Sequence, residues 1–116
     1  MNIQIIRQST QADALMEVGP VPVPLSQPPC VISEQEVKIP GKPDCSTGLW
    51  ECSPGKFERQ IKEAEVMHIL AGVCTFTPRG SSEALLIKAG DTVFFPENTF
   101  GSWDIQETVR KVYVLV

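Results

Sequence analysis

The sequence predicts an all-β domain in which two antiparallel sheets pack into a small barrel, with a proline-rich arm at the N-terminal end. Three observations carry this reading. From residue 44 onward, short apolar runs recur about every 8 to 12 residues between turn signals, with no helical stretch among them. Seven of the ten prolines lie in the first 43 residues, five of them between positions 19 and 29. A chain of 116 residues with 42% apolar side chains supplies one core and not two.

The elements follow in order. Residues 2–7 alternate enough for a strand, and Ser9 or Thr10 can cap a short helix running to residue 18. Proline lacks an amide hydrogen and fixes φ, so GPVPVPLSQPP, residues 19–29, is expected as an extended arm wrapping a surface. A mixed segment, 30–39, leads to the turn signal PGKPD. This divides the chain into an N-terminal strand, short helix and Pro-rich arm over residues 1–46, packing on a barrel over 47–116. Within the barrel the expected strands are 48–53, 57–61, 65–70, 73–77, 84–87, 92–95, 102–105 and 109–116. Pro54-Gly55, Ala71-Gly72, Arg79-Gly80-Ser81, Ala89-Gly90 and Pro96-Glu97-Asn98 separate them. The runs LLI and VYVLV are apolar on both faces, so such strands are covered on both sides, by the opposite sheet and by the arm or a neighbouring subunit. A homodimer is expected on that ground.

Charge and cysteine usage exclude several classes. Ten lysines and arginines against fourteen acids leave a net charge of -4, which argues against sequence-blind binding of nucleic acid. No apolar run approaches the ~18 residues needed to span a bilayer, so no membrane partner is expected. The start, MNIQIIRQST, has four apolar residues in ten and no basic region ahead of a long apolar stretch, so the expectation is a cytoplasmic protein. Cys30, Cys45, Cys52 and Cys74 form no C-x-x-C pair and are expected as free thiols.

Two stretches carry glycine, proline and glutamate at fixed offsets. In EAEVMHILAG, Glu65 is followed by six residues and then Gly72; in GDTVFFPENTFGSW, Gly90 is followed by five residues and then Pro96. These resemble the paired motifs of the cupin superfamily, a small jelly-roll barrel. The run GLWECSPGKF, then EVMHILAG, then GDTVFFPENTFGSWDIQETVRKVY resembles in particular the small cupins related to ureidoglycine aminohydrolase and the ethanolamine-utilisation cupin, over residues 47–116. The resemblance implies a glutamate ligand at Glu65, on a strand ending in a tight turn at Gly72. It gives Gly90-Asp91 and Val109-Arg110-Lys111 structural roles as turn and strand.

The departures are informative. Metal-dependent cupins resembling this pattern carry a His-x-His pair ahead of the glutamate, which would fall here on Arg59 and Ile61, or on Glu58 and Gln60. The second motif would carry a histidine where Gly101 stands. Of four ligands only Glu65 is left, so no tightly bound metal and no other cofactor is expected. A hard divalent cation held weakly by Glu58, Gln60 and Glu65 is the alternative.

Alternation along the strand sets Glu65 and Met67 on one face and His68 on the other. An inward Glu65 among apolar neighbours is costly unless protonated or paired with a cation, and Arg59, of equal parity, is the candidate partner. Trp50 and Trp103 are expected to fill or cap the barrel, Cys52 to be a buried inert thiol, and Phe94 and Phe95 to face opposite ways. The expected function is binding of a small polar molecule in the barrel by Arg59, Glu65, Trp50, Trp103, Met67 and Gln60. A metal-dependent or acid/base enzyme resembling ureidoglycine aminohydrolase, with Glu65 as the candidate catalytic residue and a small nitrogenous or carbonyl compound as substrate, is the alternative, and a purely structural dimer module is the third.

Overall fold

The computed structural model describes residues 3–116. Eight strands account for most of the chain: β1 (Met16–Pro20), β2 (Val31–Val37), β3 (Ser46–Cys52), β4 (Gly55–Ile61), β5 (Glu65–Pro78), β6 (Leu85–Lys88), β7 (Thr92–Phe95) and β8 (Thr99–Leu115). All pairings are antiparallel, as the short apolar runs and turn signals predict.

Two long strands organise the barrel. β5 has 14 residues and β8 has 17, and they pair with each other over most of their lengths. Register shifts between Ile69 and Cys74 bend the pair, which lets each strand leave one sheet and enter the other. One sheet runs β1-β2-β3, then the second half of β8, the first half of β5 and β7. The opposing sheet runs β4, the first half of β8, the second half of β5 and β6. This is the expected jelly-roll barrel of two packed antiparallel sheets. Phe57, Phe76, Leu49, Met67 and Ile69 are its largest fully buried side chains.

The bend corrects one sequence expectation. Residues 65–70 and 73–77 are not two strands joined by a glycine turn; Gly72 lies inside β5. Its φ is +98°, and a Cβ there would come within 2.3 Å of the Thr108 carbonyl oxygen. Glycine is needed because β5 and β8 approach closely at the bulge, not because the chain reverses. The expected strands 102–105 and 109–116 merge in the same way into β8.

The N-terminal region also differs. The expected strand 2–7 does not form over residues 3–7, and Asn2 lies outside the described residues. In place of a helix to residue 18 there is one 3-10 turn, Ser9–Gln11, followed by β1 on the edge of β2. The physical reason is on β8: Arg110 Nη1 donates to the carbonyls of Ser9 at 2.9 Å and Ala12 at 2.6 Å. Those acceptors would otherwise serve a continuing helix, and the strand pairing of residues 16–20 outweighs local propensity.

The proline-rich stretch lies along the outer edge of β4. Leu25 N–H donates to the Lys56 carbonyl at 2.8 Å, Glu58 N–H donates to the Val23 carbonyl at 3.0 Å, and Pro24 is bridged to Phe57. Val23 and Leu25 make the ladder contacts while Pro22 and Pro24, which have no N–H to offer, alternate with them. The strap covers an edge that would otherwise present unpaired backbone groups. Among the described residues no helix is long and apolar enough to cross a membrane.

Candidate functional site

The strand register writes the site directly. Glu34 of β2 is paired with Trp50 of β3, Trp50 with Lys111 of β8, and Lys111 with Ile69 of β5, so one row of side chains crosses four strands. The next row is Glu36, Gly48, Tyr113 and Met67; the one after holds Ser46, Leu115 and Glu65. Gly48 contributes no side chain, which leaves its row short on β3. Across from these rows, β4 brings Arg59 and Ile61, and the first half of β8 brings Trp103 and Ile105. Together they line a cavity of about 200 Å³ between the sheets.

At its centre is an ion pair. Lys111 Nζ donates to Glu65 Oε2 at 2.8 Å, with the two side chains only 10% and 11% exposed. The ammonium lies 4.4 Å from the centre of the Trp50 ring and 3.8 Å from Met67 Sδ. A desolvated cation over an indole face gains about 2 kcal/mol, which offsets part of the cost of burying it. Burial pushes the Lys111 amine below the ordinary lysine value of 10.5, and the Arg59 charge pushes the same way, while Glu65 pulls it back up. Tyr113, in the same cavity, is raised above its ordinary 10.0 by burial and by the negative charge of Glu34.

The expected partnership of Arg59 with Glu65 is therefore replaced. Among the described residues Arg59 makes no salt bridge; it is exposed at the cavity mouth with its Cζ 6.0 Å from the Trp50 ring centre. Lys111 reaches Glu65 first because its stem rises from the floor of the same sheet, whereas β4 lies across the barrel. Val109-Arg110-Lys111, expected as strand residues with a structural role, lie on β8. Val109 is core and Arg110 points outward to the N-terminal segment, but alternation turns Lys111 inward.

Trp50, Trp103, Met67, Arg59 and Glu65 all line the cavity. Gln60 does not. It is exposed on the outer face of β4, where its amide donates to Asn98 Oδ1 at 3.3 Å, because Arg59 and Ile61 take the inward parity. His68 is exposed on the opposite face from Glu65, with Nδ1 2.8 Å from Thr92 Oγ1. Phe95 is buried in an aromatic cluster with Phe76 and Trp103, with ring centres 5.2 and 5.7 Å away, whereas Phe94 is 72% exposed. Cys52 is buried and its thiol is pushed up by desolvation and by neighbouring Cys30. Sequence reasoning missed Lys111, Tyr113, Glu34 and Glu36. For Lys111 a signal existed: a lysine at the parity of Val109, Tyr113 and Leu115, on a face otherwise apolar in that run.

The donor set does not fit a transition ion. Glu65 already carries an ammonium at hydrogen-bond distance, and Arg59 and Ile61 stand where imidazoles would be needed. At Gly101 even the space is lost, since a Cβ would come within 2.4 Å of Phe76 Cζ and 2.5 Å of the Thr77 carbonyl oxygen. Among the described residues no group of three or more His, Cys, Asp or Glu side chains is arranged to hold a metal. The Glu58, Gln60 and Glu65 alternative fails on facing, because Glu58 and Gln60 share the outward parity of β4.

Solved structures with this fold are numerous. A protein of unknown function of the DUF861 family from Pseudomonas syringae pv. tomato is 23% identical, with a TM-score of 0.78 over 92% of this chain and 46% of its own. The present chain thus spans about half the length of that protein. The EutQ protein of Clostridium difficile is 17% identical, with a TM-score of 0.65, covering 82% of this chain and 79% of that one. A DUF861 family protein from Thermotoga maritima is 31% identical over 59% of this chain and 76% of its own, with a TM-score of 0.57. No curated protein matches significantly. The model of the EutQ-like cupin domain matches residues 43–113, which contain Trp50, Arg59, Glu65, Trp103 and Lys111, and the chain belongs to that family.

Proposed function

We propose that this cupin binds a small polar molecule inside the barrel, held by the Lys111–Glu65 pair and by Arg59, without a transition ion between protein and ligand. The observation that carries this reading is an ion pair placed at a cavity and not in a filled core. A buried pair contributes little net stability over apolar packing, so its position beside space for a ligand supports recognition as its role. Trp50 and Trp103 give the cavity two flat apolar walls, and the charged groups give it orientation.

The test is thermal stability of the wild type, Arg59→Ala and Glu65→Gln in the presence of a panel comprising pyruvate, glycolate, glycine and urea. A ligand at a hundred times its Kd stabilises by about 2.7 kcal/mol. The expected result is a shift by at least one compound in the wild type that shrinks in both variants. Shifts equal in all three proteins contradict the site.

A second reading, acid–base catalysis on a small nitrogenous or carbonyl compound, is favoured by one observation. Lys111 is an amine held below its ordinary value in contact with a carboxylate, a pairing suited to moving protons. It is tested by turnover that is lost in Glu65→Gln while binding is kept.

A further inference from the structure

We propose that Lys111 is an imine-forming lysine whose carbonyl substrate is a small 2-oxo monocarboxylic acid. The inference rests on the pocket reading above and adds the substrate class and the reacting atom.

Four features of the cavity combine. Lys111 Nζ is the one lysine amine placed inside the barrel; Lys38, Lys42, Lys56, Lys62 and Lys88 are all exposed. A lysine becomes a nucleophile when it is desolvated beside another cation, and Lys111 is 10% exposed and shares the Trp50 ring with the Arg59 guanidinium. Glu65 Oε2, 2.8 Å from Nζ, is placed to take the ammonium proton and to return it to the departing oxygen. Arg59 and Lys111 approach the same Trp50 ring, their charged ends 6.0 and 4.4 Å from its centre, so a guanidinium without an ion-pair partner and an amine address one small volume. A carboxylate held by the Arg59 fork brings an adjacent carbonyl carbon toward Nζ.

The step balances without any added oxidant or reductant. The Lys111 ammonium gives one proton to Glu65, the free amine attacks the carbonyl carbon, and the C–N bond forms as the C=O π pair moves to oxygen, which takes a second proton from the attacking nitrogen to give the neutral carbinolamine. Glu65 protonates the carbinolamine oxygen, which leaves as water as the nitrogen lone pair closes the C=N bond. The product is a protonated imine, paired with the Glu65 carboxylate in place of the ammonium. Glu34 lies on β2 beyond Trp50 from Lys111, and Glu36 lies in the next row beyond Gly48 from Tyr113. Their charges oppose a second carboxylate at that end of the cavity, which is why the assignment is to a monocarboxylic acid.

The experiment treats the intact wild-type protein with pyruvate and cyanoborohydride, follows whole-protein mass, and maps the modified peptide. A single reduced adduct on Lys111, formed ahead of any on the exposed lysines, is the expected result. Arg59→Ala removes the neighbouring cation for every carbonyl compound and the carboxylate contact for pyruvate alone, so it is expected to slow labelling by pyruvate about tenfold more than labelling by acetaldehyde, and an equal slowing of both overturns the carboxylate contact. Adducts spread over the exposed lysines overturn the inference. So does pyruvate-induced thermal stabilisation with no adduct on Lys111, an outcome that leaves the pocket reading standing. Equal pyruvate labelling in wild type and Arg59→Ala overturns the assignment of the carboxylate.

Discussion

Lys111 Nζ lies 2.8 Å from Glu65 Oε2 inside the barrel, so an ammonium sits on the carboxylate that the family resemblance would assign to a metal ion. The pair comes from two strands that cross the sheet side by side, β5 and β8. It is set by register: Glu65 is paired with Leu115 and Ile69 with Lys111, so the lysine must extend along its own strand to reach the carboxylate.

Breaking the pair on one side is expected to be far worse than removing it. Lys111→Met leaves an uncompensated carboxylate and should destabilise by about 3–5 kcal/mol, whereas Lys111→Met with Glu65→Leu should recover most of that loss. Urea unfolding of the wild type, two singles and the double gives the coupling directly. Additive losses contradict a close pair.

The pH dependence has a definite sign. The Lys111 value is lower folded than unfolded, so between its folded value and 10.5 the unfolded chain binds more protons. Its contribution to stability is fully present above 10.5 and is lost as pH falls through the folded value. The buried thiols and Tyr113 are shifted upward and work the opposite way in alkaline solution. The informative quantity is therefore the stability difference between wild type and Lys111→Met, which should move in favour of the wild type as pH rises toward 10.5. A flat difference measured by urea unfolding contradicts a desolvated lysine.

Gly101→His restores the residue type that metal-dependent relatives would carry, yet it should not create a metal site. The new Cβ meets Phe76 Cζ at 2.4 Å, and overpacking of this kind costs about 1–3 kcal/mol. The expected outcome is a lower Tm with no stabilisation by manganese or zinc. Metal-induced stabilisation of this variant, read in the same scan, contradicts the packing argument.

The thiols should divide three to one. Cys30, Cys52 and Cys74 are buried, and desolvation pushes Cys74 up to about 11 and raises the other two. Cys45 is partly exposed. A disulfide reagent at neutral pH should titrate Cys45 promptly and the remaining three only on unfolding, and prompt reaction of a second thiol counts against the core packing.

Much of the barrel was legible because turn residues and apolar runs are local signals. β7, at Thr92–Phe95, coincides with its predicted span. The merged strands β5 and β8 were not legible, since a bulge and a turn both call for glycine, and only the partner strand at Thr108 distinguishes them. That Glu65 and Met67 share one face followed from parity along the strand, but parity did not say that this face is the inner one. Nor did it give the partner of Glu65, because Lys111 and Glu65 are 46 residues apart and meet only through the β5–β8 register. Glu34 and Glu36 were missed for the same reason. They enter the cavity through β2, from a proline-flanked segment read as lying outside the barrel.

The central claim is that an ammonium, and not a metal ion, neutralises Glu65. Elemental analysis of protein purified without chelator, with Glu65→Ala in parallel, tests it most directly. Both proteins are expected to carry the same trace of transition metal, well below one ion per chain. One tightly held ion per wild-type chain, absent from Glu65→Ala, would contradict the account.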